Sequence, residues 1–437
     1  MNLDKKSNKE ILAWSMYDFA NQPFTTLIVT FIFGKFFVEV LAKNEIVGTS
    51  LWSLGIAITA LFVSFLSPML GALADAGGYR KVFLVLSTYV CALATIGLYF
   101  FQPGQVFMLG QTEIHVSVIA LIVFIIANIG FEFGTVFCNS YLSDLSTNKN
   151  IGKISGYAWG LGFIGGLLSL ALSLVLFDVS NNPNNVRYIH LLVAIWFVIF
   201  SLPTFIYLKD RRPQRGLRQH FKSSLTSIIS TFRNISSHKS IVKFLIARLF
   251  YNDALVTIFA FGGVYAGHIG FDFLEVLILG IVLNVSACIG SFLFGYLEDT
   301  IGVFRMLSIT LWVLFFSVLL AFIAPFFDCS RLICLPDKLQ HIINPKVLFW
   351  IAGVFIGLMQ GPNQSGSRSL MARLTPESKK NEFFGFYAFS GKATSFIGPL
   401  FFGILTSAFG TQQAGLVIVV LFFLLGIIFF KSLRLTI

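Results

Sequence analysis

Apolar residues run through this chain in twelve long stretches, separated by short polar segments, at about 11–40, 51–74, 82–101, 115–141, 154–177, 187–208, 241–267, 273–297, 304–325, 346–371, 383–408 and 411–431. An apolar helix needs about 20 residues to cross a hydrocarbon layer, so each stretch is long enough to be a transmembrane helix. They are numbered here as spans one to twelve. The segment ahead of them, Met1 to Glu10, is polar and charged, and the first stretch is too long for the core of a cleaved secretory signal. It is expected to remain as span one.

The polar residues inside the spans are distributed unevenly. Span one holds Asp18, Asn21 and Gln22, and span four holds Asn128, Glu132 and Asn139. Span seven holds Arg248, Asn252 and Asp253, and span ten holds Gln360, Asn363, Gln364 and Arg368. Spans two, three and five hold no Asp, Glu, Lys, Arg, Asn, Gln or His, and the others have isolated cases such as Asn284 and Lys392. Every third span is therefore polar. In span four, Asn128, Glu132, Thr135 and Asn139 are spaced to share one helix face, as are Gln360, Asn363, Gln364 and Arg368 in span ten. A charge facing lipid at mid-depth costs about 2.5 kcal/mol or more, so four such stripes are expected to turn inward and line a wet cavity. Two readings of these groups stay open: a solute pathway, or interhelical hydrogen bonds that hold the bundle together. Asn21, Asn139 and Asn284 suit either. The ionisable Asp18, Glu132, Arg248, Asp253 and Arg368 favour function, because such groups are costly to keep in a membrane.

Composition agrees with this picture. The chain has 437 residues, 56% of them hydrophobic and 12% charged, with 51 phenylalanines. A soluble domain carries about a quarter charged residues. The net charge of +11 would suit nucleic-acid binding in a soluble protein, but here the basic residues cluster in short loops. With the N-terminus inside, 22 Lys and Arg fall on the inner side, 6 on the outer, and Arg248, Arg368 and Lys392 lie within spans. That bias predicts both termini on the cytoplasmic side. Cys91, Cys138 and Cys288 fall in spans and read as packing residues. Cys329 and Cys334 share one outer loop and are a candidate disulfide if that side is oxidising.

The segment 209–240 divides the chain into bundles 1–208 and 241–437. Within it, Leu217, Phe221, Leu225, Ile228, Phe232 and Ile235 recur at helical spacing among Arg218, Lys222 and Arg233. This predicts an amphipathic helix on the inner membrane surface. The two bundles also repeat. Gly71, Asp75, Gly78 and Lys81 match Gly295, Asp299, Gly302 and Arg305 at one common offset of 224. Ser155-Gly156-Tyr157 ahead of span five is echoed by Phe384-Gly385-Phe386 ahead of span eleven. Duplicated six-helix halves mark secondary transporters. The repeated segment, with Arg80 and Lys81 beside Asp75, reads as a conformational latch in which Asp75 makes a charge-assisted contact near span three. The glycines Gly160, Gly162, Gly165 and Gly166 of span five read as close-packing residues. No strand precedes them and no Lys-Ser or Lys-Thr follows, so they do not form a phosphate loop.

These motifs resemble a known family. Gly71 to Lys81, repeated at Gly295 to Arg305, is similar to the loop signature of the major facilitator superfamily. More narrowly, Tyr17-Asp18-Phe19-Ala20-Asn21, Asn128 to Glu132, Gly361 to Ser369, Glu382 to Tyr387, Ser390-Gly391-Lys392 and Gly398-Pro399 resemble the branch related to the autophagy-linked vacuolar amino-acid effluxers. The resemblance covers nearly the whole chain. It implies an all-α integral membrane protein with twelve transmembrane helices in two pseudo-symmetric six-helix bundles, working by rocker-switch alternating access around spans one, four, seven and ten. It also implies a small organic solute, amino acids in the vacuolar relatives, with export as the direction. The sequence departs from the pattern at Ala76 and Thr300, where a basic residue usually follows the aspartate, and at Pro362, where the branch often has glycine.

The expected protein is a secondary transporter and not an enzyme, without a cofactor, acting as a monomer in a bacterial inner membrane. Its partners would be a small-molecule substrate, protons and membrane lipid, and no nucleic acid. Glu132 or Asp18 would carry the coupling proton. Arg248, Arg368 and Lys392 would attract an anionic group, and Asn128, Asn252, Asn363 and Gln364 would orient the ligand. Competing readings are a carrier of drugs, siderophores or nucleosides, and a transport-inactive receptor or scaffold. A membrane enzyme is disfavoured, because His115, His190 and His268 lie near helix ends without Cys or His partners at ligand spacing.

Overall fold

A computed structural model describes residues 8–110, 112–177, 183–210, 238–327 and 344–434. The amphipathic segment expected within 211–237 and the cysteine pair Cys329 and Cys334 lie outside the described residues. Among the described residues, twelve helices are long and apolar enough to cross a membrane: Asn8–Leu41, Val47–Gly77, Arg80–Leu98, Val116–Leu145, Ile151–Leu176, Val186–Tyr207, Lys239–Ile269, Ile278–Ile301, Val303–Phe327, Pro345–Leu374, Glu377–Phe409 and Gln412–Leu433. They match spans one to twelve.

Two spans are irregular. Span one is α-helical from Asn8 to Pro23 and then continues as a π-helix from Phe24 to Phe31. Pro23 has no N–H to give to the carbonyl of Phe19. That carbonyl instead accepts from the indole of Trp196 on span six at 3.1 Å, and the Phe19 and Trp196 rings stack at 5.1 Å. Span eleven is two helices, Lys380–Lys392 and Ile397–Phe409, joined by a turn at 393–396. The sequence reading treats it as one continuous span. The polar run Lys392-Ala-Thr394-Ser395 lies between Gly391 and Gly398-Pro399, and it interrupts the helix where those residues compete with the backbone ladder.

Between spans three and four, strands β1 (Val106–Leu109) and β2 (Thr112–His115) form an antiparallel hairpin. At the start of span eight, Asp272 and Glu275 form a capping box. Lys346, at the start of span ten, donates to Glu275 at 2.8 Å and holds its carboxyl below the usual range.

The chain forms two compact units that are not contiguous in sequence. One comprises Met1–Leu145, Leu161–Phe232 and Pro376–Phe389, and the other Ser146–Gly160, Arg233–Thr375 and Ser390–Ile437. The first half of span five therefore packs with the C-terminal spans, and the first part of span eleven packs with the N-terminal spans. Both units turn apolar side chains outward, among them Phe65, Leu93 and Leu174 in the first and Val264, Leu293 and Ile428 in the second. Such a surface suits lipid and would be unfavourable in water.

Candidate functional site

The polar side chains of the polar spans lie inside the units. Asn21 and Asn128 in the first unit are 5% and 6% exposed. In the second, Arg248 is 6% exposed, Asp253 and Arg368 are 1%, and Asn363 is fully enclosed. Asp18, Glu132, Asn252, Gln364 and Lys392 are half-buried. Asn284 satisfies itself by donating to Gly280 one turn back.

In the second unit, span seven grips the break in span eleven from both sides. Arg248 Nη1 donates to Ser390 Oγ at 3.0 Å, and Asn252 Nδ2 donates to the carbonyl of Gly391 at 3.0 Å. Those contacts hold the carboxyl end of the Lys380–Lys392 helix, where positive charge is favoured. A Cβ at Gly391 would stand 2.6 Å from Arg248 Nη1, so a larger residue there would have to displace the guanidinium. Asp253 Oδ2 accepts from the N–H of Gly398 at 3.3 Å, at the amino end of the Ile397–Phe409 helix, where negative charge is favoured. Span ten joins the cluster through Gln364, which donates to Asn252 at 3.4 Å. Neighbouring Asn363 donates to Thr310 of span nine at 3.3 Å. An interrupted membrane helix with polar groups at both half-ends is a recurrent setting for solute and ion sites.

Arg368 is bonded to span five. Its Nε donates to Ser155 Oγ at 3.0 Å, its Nη2 donates to the Ser155 carbonyl at 2.8 Å, and its guanidinium stands 5.7 Å from the Trp159 ring. It secures the start of span five.

The repeated segments form two further polar clusters, one in each unit. Asp75 lies within span two, and the turn that follows is only Gly78-Tyr79, with Gly78 at φ 67°. Sequence reading places the contact of Asp75 near span three. In the structure its hydrogen bonds reach span eleven: Asp75 Oδ1 accepts from Asn381 N at 3.1 Å and Asn381 Nδ2 at 2.7 Å, and Oδ2 accepts from Glu382 N at 2.8 Å. Four unpaired N–H groups at a helix start outbid a neighbouring side chain for a carboxylate. Asp75 therefore caps span eleven. Arg80 instead pairs with Asp144 at 2.7 Å, reaches Asp210 at 3.8 Å and lies 3.6 Å over the Tyr141 ring. Lys380 reaches Asp144 at 2.6 Å. Lys81 contributes its backbone N–H to Asp210 at 2.7 Å.

Asp299 does the same for span five. Its Oδ1 accepts from Gly152 N at 2.9 Å and its Oδ2 from Lys153 N at 2.8 Å. The following turn is Gly302, at φ 86°. Glu298, fully enclosed, accepts from Ser369 Oγ and lies 3.5 Å from Arg373, which is equally close to Asp299. Arg305 is exposed, unlike its sequence counterpart Lys81. Glycines make both clusters compact. A Cβ at Gly156 would lie 2.6 Å from Gly295 Cα, one at Gly385 the same distance from Pro68 Cα, and one at Gly71 would collide with the Asn381 carbonyl. Asp144, Asp210, Glu298, Arg373, Lys380 and Asn381 are all absent from the residues singled out by sequence.

Twelve spans and a duplicated polar architecture of this kind define a major facilitator superfamily transporter. Solved structures agree on the fold. The chain superposes on the proton:xylose symporter XylE with a TM-score of 0.70 at 14% identity, covering 97% of this chain and 95% of that one. It superposes on a bacterial homologue of the iron transporter ferroportin with a TM-score of 0.67 at 12% identity, covering 99% and 100%. Residues 34–436 match the family described as "Vacuole effluxer Atg22 like", and the chain belongs to that family. Among curated relatives, the MFS-type transporter YxiO of Bacillus subtilis (strain 168) is 25% identical over 97% of this chain and 94% of its own length. Autophagy-related protein 22 of Kluyveromyces lactis is 22% identical over 81% and 73%. The family is one of transporters, not enzymes.

Proposed function

We propose that this protein exports a small organic solute, amino acids being the first class to test, in exchange for protons across a bacterial inner membrane, with both termini cytoplasmic. The observation that carries the reading is the enclosure of Arg248, Asn252, Asp253 and Gln364 around the interrupted span eleven. Groups so costly to bury within a membrane stand where a solute with its own charge and hydrogen-bonding groups can replace the bonds they make to one another. Arg248 and Lys392 suit an anionic group, and Asn252, Asn363 and Gln364 suit its orientation. Asp18, Asn21, Asn128 and Glu132 form the corresponding polar stripe of the other unit, and Glu132 or Asp18 is the first choice for the coupling proton. The carboxylates Asp75 and Asp299, with Gly71, Gly78, Arg80, Lys81, Gly295 and Gly302 around them, act as the latch. The direction of export rests on the family's description as effluxers, and the orientation rests on the distribution of basic residues.

The test is uptake of a radiolabelled amino-acid mixture by proteoliposomes under an imposed pH gradient. Accumulation that collapses when the gradient is dissipated, and that Glu132→Gln and Asp18→Asn reduce without abolishing exchange, is the expected result. Accumulation independent of the gradient would overturn proton coupling. Absence of exchange with every solute class tried would overturn the transport reading.

A further inference from the structure

Asp253 is the most enclosed carboxylate of the cluster at the break in span eleven, at 1% exposure. Its Oδ2 accepts from Gly398 N at 3.3 Å, and its Oδ1 makes no hydrogen bond. On its own helix, Lys243 donates to the Ser432 carbonyl at 3.3 Å. Arg248, five residues back on span seven, is turned to Ser390. Lys392 lies across the break at the end of the preceding helix and is half-buried. On span ten, Arg368 is bound to Ser155, Arg373 lies against Glu298 and Asp299, and Lys346 holds Glu275 at the far end of span eight. Lys431 of span twelve lies over the Trp312 ring, and the Ile397–Phe409 helix carries no charge. No basic nitrogen among the described residues forms an ion pair with Asp253.

The next turn of span seven has apolar surroundings. One turn along span seven, Thr257 turns its hydroxyl to the Asp253 carbonyl. Beyond it lies a cavity of about 40 Å³ walled by Thr257, Phe261, Tyr265, Phe349 and Phe402. Such an apolar space offers water few hydrogen-bond partners. An ionised carboxylate enclosed without a cation costs several kcal/mol, whereas the protonated acid is neutral and can still accept the Gly398 N–H through its carbonyl oxygen.

We propose that Asp253 is a proton-binding carboxylate, additional to Glu132 and Asp18, and that its protonation sets the geometry of the break in span eleven. The proton comes from water and forms an O–H bond at Oδ1. Its loss leaves an anion that must draw in a cation or water, and the contact most exposed to that change is the one with Gly398. A Cβ at Gly398 would stand 3.1 Å from Oδ1 and would collide with Thr257 Oγ1, so this end of the break has no slack. The site deepens the proton-coupled reading and rests on it only for its purpose.

The experiment is pH-difference infrared spectroscopy of the protein in lipid vesicles, which needs no substrate. The expected spectrum contains a carboxylic-acid C=O band that fades on raising pH and shifts in D2O. Asp253→Asn should lose it, while Glu132→Gln and Asp18→Asn keep it. Gly398→Ala should move its frequency without removing it, which tests the assignment even if Asp253→Asn does not fold; the amide bands of the same spectra report folding. A band that survives in folded Asp253→Asn, that Gly398→Ala leaves unmoved, or that disappears in Glu132→Gln overturns the proposal. Loss of the band on adding sodium chloride but not potassium chloride at fixed pH would reassign the site to sodium and overturn it equally. Failure of gradient-driven uptake in wild type while the band behaves as expected would sink the transport reading and leave the proton site standing.

Discussion

The grip on the start of span eleven and the grip on the start of span five descend from one repeated segment, yet they are built differently. In both, an aspartate at the end of a span, Asp75 or Asp299, accepts the first N–H groups of a helix that begins in the other half of the sequence. In both, glycines remove side chains where backbones meet. The charges around these shared parts differ. Around Asp75, two cations share the load: Arg80 pairs with Asp144 and reaches Asp210, and Lys380 also pairs with Asp144. Around Asp299 a single cation, Arg373, faces two carboxylates, Glu298 and Asp299. Helix capping and close approach need fixed geometry, so duplication retained them. Ion pairs need only net compensation, which either sign arrangement supplies.

The largest expected effect tests the shared part. Gly295→Leu would drive a side chain into Gly156, backbone against backbone, and no rotamer relieves that. Folded protein recovered by size-exclusion chromatography should fall to near nothing, and Gly385→Leu, against Pro68, should match it. If only one of the pair is lost, the two grips are not equivalent structures.

Next come the charges, where the two sides should part. Arg373→Ala leaves enclosed Glu298 with Ser369 alone, and removal of one partner from a buried pair costs about 3 kcal/mol. Lys380→Ala leaves Asp144 paired with Arg80 and should cost about 1–2 kcal/mol. Thermal melts of the purified variants compare the two, and Glu298→Gln added to Arg373→Ala should restore much of the loss. Equal destabilisation by Arg373→Ala and Lys380→Ala would remove the distinction drawn between the grips.

Smaller and more local effects follow from the caps. Asp75→Asn and Asp299→Asn each weaken one cap, by about 1 kcal/mol. Hydrogen exchange should quicken at residues 381–383 in the first variant and at 152–154 in the second, without crossing over. Exchange that rises at both places in either variant would show that the caps do not act separately.

Much of this organisation was legible in the sequence, for a physical reason. The twelve spans, the polar stripes and the repeat are local or periodic signals, and lipid enforces them strongly. The partners of Asp75 were not legible, because Asn381 and Glu382 lie some 300 residues away and a helix start advertises its bare N–H groups only once the helix is placed. For the same reason Asp144, Glu298 and Arg373 do not stand out in the sequence. Sequence reading gives Arg368 to the solute, and its bonds to Ser155 of span five could not be read from the sequence. The break in span eleven did leave a sign. Lys392, Thr394 and Ser395 interrupt an apolar run just ahead of Gly398-Pro399, and Pro399 fits the first turn of a new helix better than the middle of an old one.

The smallest expected effect concerns Arg305, the repeat partner of Lys81. Sequence symmetry gives it a role in the latch, but geometry gives it none: its side chain is exposed, and the position of the working cation is taken by Arg373 from span ten. An exposed side chain outside such a network contributes within about 0.5 kcal/mol. Arg305→Ala should therefore leave the melting temperature and the exchange pattern at 152–154 unchanged, while Arg373→Ala changes both. A clear loss in Arg305→Ala would mean that the second grip still uses its inherited cation in another conformation, and that the two grips are more alike in action than in this structure.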